Sequence, residues 1–120
     1  MKIEMIDQKY ILDDDLKPVP ATLMEWAHWF QTADRHVAAT HVGPWWVSTV
    51  FLGINHRFGQ DGPPLLFETM VFRDVPDTSK FGDGQGWSDD GDMDRYSTWD
   101  EALAGHERMV AKYKIMEGKE

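Results

Sequence analysis

Two capping boxes constrain what this chain can fold into more than any other feature of it. Thr22-Leu23-Met24-Glu25 and Thr98-Trp99-Asp100-Glu101 each set a Thr three residues before a Glu. In that arrangement the hydroxyl accepts from the third amide of a helix while the carboxylate reaches back to the cap's own amide. Each box therefore marks a helix start. After the first, Leu23, Trp26, Ala27, Phe30 and Ala33 recur at helical spacing, which predicts an amphipathic helix with Trp29 at the border of its stripe. Pro18 and Pro20 should stop regular structure from running into it. After the second, Trp99, Ala102, Leu103, His106, Met109, Val110, Tyr113 and Met116 form a longer stripe, expected to pack across a sheet.

The chain between the boxes reads as strands. His36–Val42 is β-compatible and ends at Gly43-Pro44, a turn signal. Trp45–Gly53 is rich in aromatic and β-branched residues, and Leu65–Arg73 is an apolar run interrupted by Glu68 and Thr69. Short strands at Tyr10–Leu12 and near Arg95–Ser97 flank these. The expected fold class is α+β: a single domain over residues 1–120, with an antiparallel sheet of four or five strands and two helices packed on one face. Two connections are too long for hairpins, Asn55–Pro64 and the stretch 74–94. The second holds seven Asp, four Gly and one Lys and is expected to be an acidic flexible loop.

At 120 residues, 42% of them hydrophobic, the chain has the size and composition of one domain with its own core. Twelve Lys and Arg against 21 Asp and Glu leave a net charge of −9. That balance argues against duplex nucleic acid or an anionic membrane as a direct partner, since phosphate contacts need clustered cations. It suits a soluble protein, or one whose partner has a basic surface. The absence of cysteine excludes disulfides, zinc–thiolate sites, iron–sulfur clusters and thiol catalysis. The opening MKIEMIDQKY lacks an apolar signal core, so the expected location is the cytoplasm.

Candidate chemistry is sparse. His28, His36, His41, His56 and His106 show no metal-ligand spacing. His28 and His106 read as helix-border residues and the strand histidines as half-exposed. A sharper alternative groups His56, Arg57 and Glu68 at one end of the sheet, where they could bind or hydrolyse a phosphate ester. Asp90-x-Asp92-x-Asp94 with Glu101 matches four ligand positions of a calcium loop. Arg95 occupies the required glycine position, however, and Ser97 the apolar one, so a solvated acidic loop is the better reading. Gly82-x-Gly84-x-Gly86 runs into Trp87 rather than a helix and is no phosphate loop. No catalytic residue, cofactor or metal is called for.

Six Trp, six Phe and three Tyr are the unusual feature. Trp26, Phe30, Phe51, Phe67 and Trp99 occupy core positions, and Met24, Met70 and Met109 read as core filler. Trp45 and Trp46 must point to opposite sheet faces, so one of them leaves the helix-covered side. Phe58, Phe81 and Trp87 fall in loops. The candidate binding residues are Trp46, His56, Arg57, Phe58 and Trp87, with Asp89, Asp90 and Asp92 for a basic partner. An apolar face left by one of the adjacent tryptophans also favours a homodimer.

The runs VSTVFLGINHRFG-x-x-GPPLLFETMVF and DRYSTWDEALAGHERMV, together with WAHWFQTADRHVA, resemble a small protein recurrent in tailed bacteriophages and actinobacterial prophages. The resemblance covers most of the chain from Tyr10 to Tyr113 outside the acidic stretch. It implies expression in a bacterial cytoplasm during infection or lysogeny and supplies no activity. The expected function is a phage accessory protein, a binding module that inhibits or redirects a host or defence protein. One alternative is a binder of a nucleotide signal, with Trp46 or Phe58 stacking on the base and Arg35, His56 and Arg57 meeting phosphate. Another is a metal-assisted hydrolase using His56, Glu68, His106 or the Asp-rich stretch.

Overall fold

The computed structural model describes residues 9–57, 61–75, 86–88 and 91–118, with only the backbone course described at 74–75 and 86–88. In chain order the elements are β1 (Tyr10–Leu12), β2 (Pro18–Pro20), α1 (Leu23–Thr32), β3 (His36–Val42), β4 (Trp45–Phe51), β5 (Phe67–Val75), β6 (Gly86–Ser88), β7 (Met93–Tyr96) and α2 (Trp99–Gly118). The main sheet runs β3-β4-β5, with β6 and β7 both on the far side of β5 and every pairing antiparallel. β7 lies beside Phe67–Met70 and β6 beside Arg73–Val75, so the long β5 receives two short neighbours in succession. Among the described residues no helix is long and apolar enough to cross a membrane.

Both capping boxes form. Thr22 Oγ1 accepts from the Glu25 amide while Glu25 accepts from the Thr22 amide. At α2 the Glu101 carboxylate takes the amides of both Ser97 and Thr98, and the Glu101 amide donates to Thr98 Oγ1. Each box satisfies amides that the first helical turn leaves without partners.

Both helices sit on one face of the sheet. Val42, Val47 and Val71 pack against Met109, Val110 and Tyr113 of α2, and Trp45 meets the Tyr113 ring edge-on. At the other end Phe51, Phe67, Tyr96, Ala102 and Leu12 form a second cluster, which Trp29 of α1 enters edge-on to Phe51. The inward positions of β4 and β5 thus alternate with outward ones, as a sheet covered on one side requires.

Six local readings are corrected. Pro18 and Pro20 do not merely block structure: they form β2, which pairs with β1 as a separate two-stranded ribbon, so Tyr10–Leu12 does not flank the main sheet. Proline is tolerated there because β2 is an edge strand. The α1 stripe is rotated. Leu23, Met24 and Ala27 are exposed while Trp26, Trp29 and Phe30 are half-buried, because the helix meets only the end of the sheet. On α2, Leu103 and Met116 are exposed, and Gly105 takes an inward place. β4 ends at Phe51 rather than Gly53, which has φ 77° and lies against Trp26 and Phe30, where a side chain has no room. Correspondingly, β5 is displaced to Phe67–Val75, and the stretch 74–94 contributes the end of β5, all of β6 and the start of β7. That stretch is therefore not loop throughout.

Candidate functional site

Three arrangements of side chains could carry function. The first is buried. Thr49 and Thr69 face each other across β4 and β5 at inward positions, both fully buried, with their hydroxyls 2.5 Å apart. His106 of α2 reaches this pair, its Nδ1 2.8 Å from Thr49 Oγ1, and its Nε2 lies 2.9 Å from Thr40 Oγ1 on β3. A neutral imidazole offers one donor and one acceptor, so the chain Thr40–His106–Thr49–Thr69 can be satisfied in either direction. At 1% exposure His106 is a core residue and not a helix-border one, which corrects the sequence reading. Burial holds its pKa below the ordinary imidazole value, with Glu107 opposing weakly. Thr49, Thr69 and His106 are closed off from solvent and Thr40 is half-buried; the group ties α2 to three strands.

The second arrangement is the sheet face that neither helix covers. Residues facing it are Ala39 and His41 on β3, Trp46, Ser48 and Val50 on β4, Glu68, Met70 and Phe72 on β5, and Met93 and Arg95 on β7. Trp46, Val50, Met70 and Phe72 are half-buried, and Met93 is 49% exposed. The rings form a row across three strands, with His41 stacked on Trp46 at 6.1 Å and Trp46 tilted against Phe72 at 5.5 Å. Such cross-strand aromatic pairs hold one another in place. Beside them Arg95 Nε donates to Glu68 Oε2 at 3.0 Å.

The third is a cleft along the outer side of β7, between α2 and the turn that follows β4. It has a volume of about 470 Å³ and is lined by Arg57, Pro63, Leu65, Asp94, Arg95, Tyr96, Ser97, Glu101, Ala104 and Arg108. A neighbouring depression of about 300 Å³ shares Asp94 and Arg108 with it. Asn55 builds the wall. Its Oδ1 accepts from the amides of both Arg57 and Leu65, while Arg57 Nε donates to the Pro63 carbonyl at 2.6 Å. Gly62, at φ 125°, lets the backbone close onto the Arg57 guanidinium, which would lie 2.7 Å from any Cβ there. Tyr96 is 6% exposed, and its ring and hydroxyl lie against Gly105 of α2. Burial raises its pKa; the Asp94 charge adds to that shift, whereas Thr69 and Arg108 oppose it.

The sequence candidates are dispersed over these places. Trp46 lies on the open face, and Trp45 points to α2, as expected from their adjacency. Arg57 lies in the cleft. His56 belongs to the turn structure, its amide donating to the Leu65 carbonyl and its Nδ1 hydrogen-bonded to the Ile54 carbonyl. Asp92 is engaged within the chain, paired with Lys112, and its amide donates to the Tyr113 hydroxyl. Phe58, Asp89 and Asp90 lie outside the described residues; Trp87 is in β6 opposite Asp74, with its side chain outside them.

Arg35, Glu68 and His106 each have partners other than those proposed from sequence. Arg35 stacks on the Phe30 ring at 4.5 Å instead of joining Arg57. Glu68 faces Arg95 on one side of the sheet and His106 lies buried on the other, so the hydrolase set is not brought together. Among the described residues no three His, Asp or Glu side chains gather to hold a metal ion. Sequence reasoning missed Phe72, Met93, Arg95 and Arg108, together with the three threonines around His106. A signal existed for the threonines, since Thr49 and Thr69 interrupt apolar runs at inward strand positions.

No protein-family model, curated protein or solved structure matches this chain.

Proposed function

We propose that this chain is a binding module that docks onto a bacterial protein through its helix-free sheet face. The observation that carries the reading is the chemistry of that face: Trp46, Phe72, Met70, Val50 and Met93 share one surface, rimmed by the Glu68–Arg95 pair. Large rings and methionines give extensive contact for little loss of rotamer freedom and are enriched at interface centres. The net charge of −9 favours a basic partner and speeds encounter with it. The resemblance to phage and prophage proteins supports a host or defence protein in a bacterial cytoplasm as the target, with inhibition or redirection as the outcome.

The test is capture from bacterial lysate with three forms of the immobilised protein. Met93→Glu places a charge on the open face at a position already 49% exposed, and Leu23→Glu does the same on α1 at a position 58% exposed. A protein retained by wild type and Leu23→Glu but lost with Met93→Glu supports the reading, as does weaker capture with rising salt. Capture that ignores Met93→Glu, or none at any salt, overturns it.

A further inference from the structure

The cleft beside β7 adjoins the sheet face at Arg95 but points to a different ligand. Three of the chain's five arginines line it, in a protein whose net charge is −9. They come from three separate elements: Arg57 from the turn after β4, Arg95 from β7 and Arg108 from α2. Guanidinium groups repel one another; two carboxylates, Asp94 and Glu101, line the same cleft, and Asp94 accepts from the Arg95 amide. Of the three, only Arg95 is paired with a carboxylate, Glu68. Arg57 and Arg108 have no ion pair among the described residues. The Glu101 carboxylate on the same wall is taken up by the amides of Ser97 and Thr98.

One further observation favours a bound group over a chance cluster. Arg57 is preset: its Nε is held by the Pro63 carbonyl, its backbone amide by Asn55, and its guanidinium lies against Gly62. Ordering cost is thereby met before binding.

We propose that this cleft is an anion site for a small phosphorylated molecule, with Arg57 and Arg108 as its principal contacts. Guanidinium forks from two separate elements suit a tetrahedral, doubly charged oxyanion, because each can take its own oxygens. A volume of about 470 Å³ is that of a small-molecule site rather than of a groove for a polymer.

The experiment is titration calorimetry and thermal melting with inorganic pyrophosphate and, separately, with acetate at matched ionic strength. The proteins are wild type, Arg57→Gln, Arg108→Gln and, as control, Arg35→Gln. Pyrophosphate should bind wild type and Arg35→Gln and raise their melting temperatures. Arg108→Gln should bind about tenfold or more weakly, as expected when a charge-assisted contact is lost. Arg57→Gln should do the same; if it fails to fold because the turn depends on it, Arg108→Gln decides alone, since Arg108 is exposed and makes no hydrogen bond or ion pair among the described residues. No binding to wild type, equal response to acetate and pyrophosphate, or unchanged affinity in Arg108→Gln would each overturn the proposal. None of these results bears on the sheet face, whose test uses other residues.

Discussion

Acid should weaken this fold through His106, and the size of the effect follows from its burial. The side chain is 1% exposed and hydrogen-bonded at both nitrogens. Desolvation keeps it neutral, with a folded-state pKa below the ordinary 6.5. The unfolded chain takes up a proton near pH 6.5, whereas the folded one resists, so the unfolded state binds more protons as pH falls. The stabilising contribution is therefore fully present above the unfolded pKa and is lost as pH drops below it. For an imidazole that stays neutral when folded, the loss is about 1.4 kcal/mol at pH 5.5 and about 2 kcal/mol at pH 5.0, which are upper limits. The assay is urea unfolding followed by tryptophan fluorescence at pH 7.5, 6.5, 5.5 and 5.0, on wild type and His106→Gln. The glutamine preserves donor and acceptor capacity without titrating. It should cost about 1–3 kcal/mol at pH 7.5, because the Thr49–Thr69 pair is left imperfectly partnered. Between pH 6.5 and 5.0 the wild-type curve should fall more steeply than the variant's. Parallel curves over that interval would refute the reasoning, since the exposed histidines are common to both proteins.

Two further substitutions probe how α2 is held. Gly105→Ala adds a methyl against the Tyr96 ring and hydroxyl; it should destabilise by about 1–3 kcal/mol despite alanine's better helix propensity, read as a lower urea midpoint. Thr98→Ala removes the acceptor for the Glu101 amide and should cost about 1 kcal/mol, measured the same way. An unchanged midpoint in the first would show that α2 does not pack on Tyr96 as described, and in the second that the cap contributes nothing.

Much of the architecture was legible because it is written in local rules. The capping boxes, the His36–Val42 strand and the opposed directions of Trp45 and Trp46 all follow from hydrogen-bonding capacity and side-chain periodicity among near neighbours. The sites were less legible. Arg57 was singled out from its turn, yet Arg108 stands 51 positions away on a helix face and carries no local signal. Their shared cleft exists only because β7 pairs with Phe67–Met70 and brings the start of α2 beside the turn after β4. His106 was misplaced for a related reason. A lone histidine within a helical stripe resembles a border residue until the sheet presents three threonines to it.

Local sequence determined the two helices and where they begin, the strands β3 and β4 and most of β5, and that one tryptophan of the adjacent pair must leave the helix-covered side. These properties depend on contacts within a few residues, so they survive reading the chain in one dimension. Tertiary structure alone decided that Pro18–Pro20 pairs with Tyr10–Leu12, that α1 turns Trp29 instead of Leu23 toward the core, and that Arg57, Arg95 and Arg108 share one cleft. Each of these rests on partners distant in sequence. The free energy that selects them comes from burying particular surfaces against one another, and pattern within a segment does not record which surface that will be.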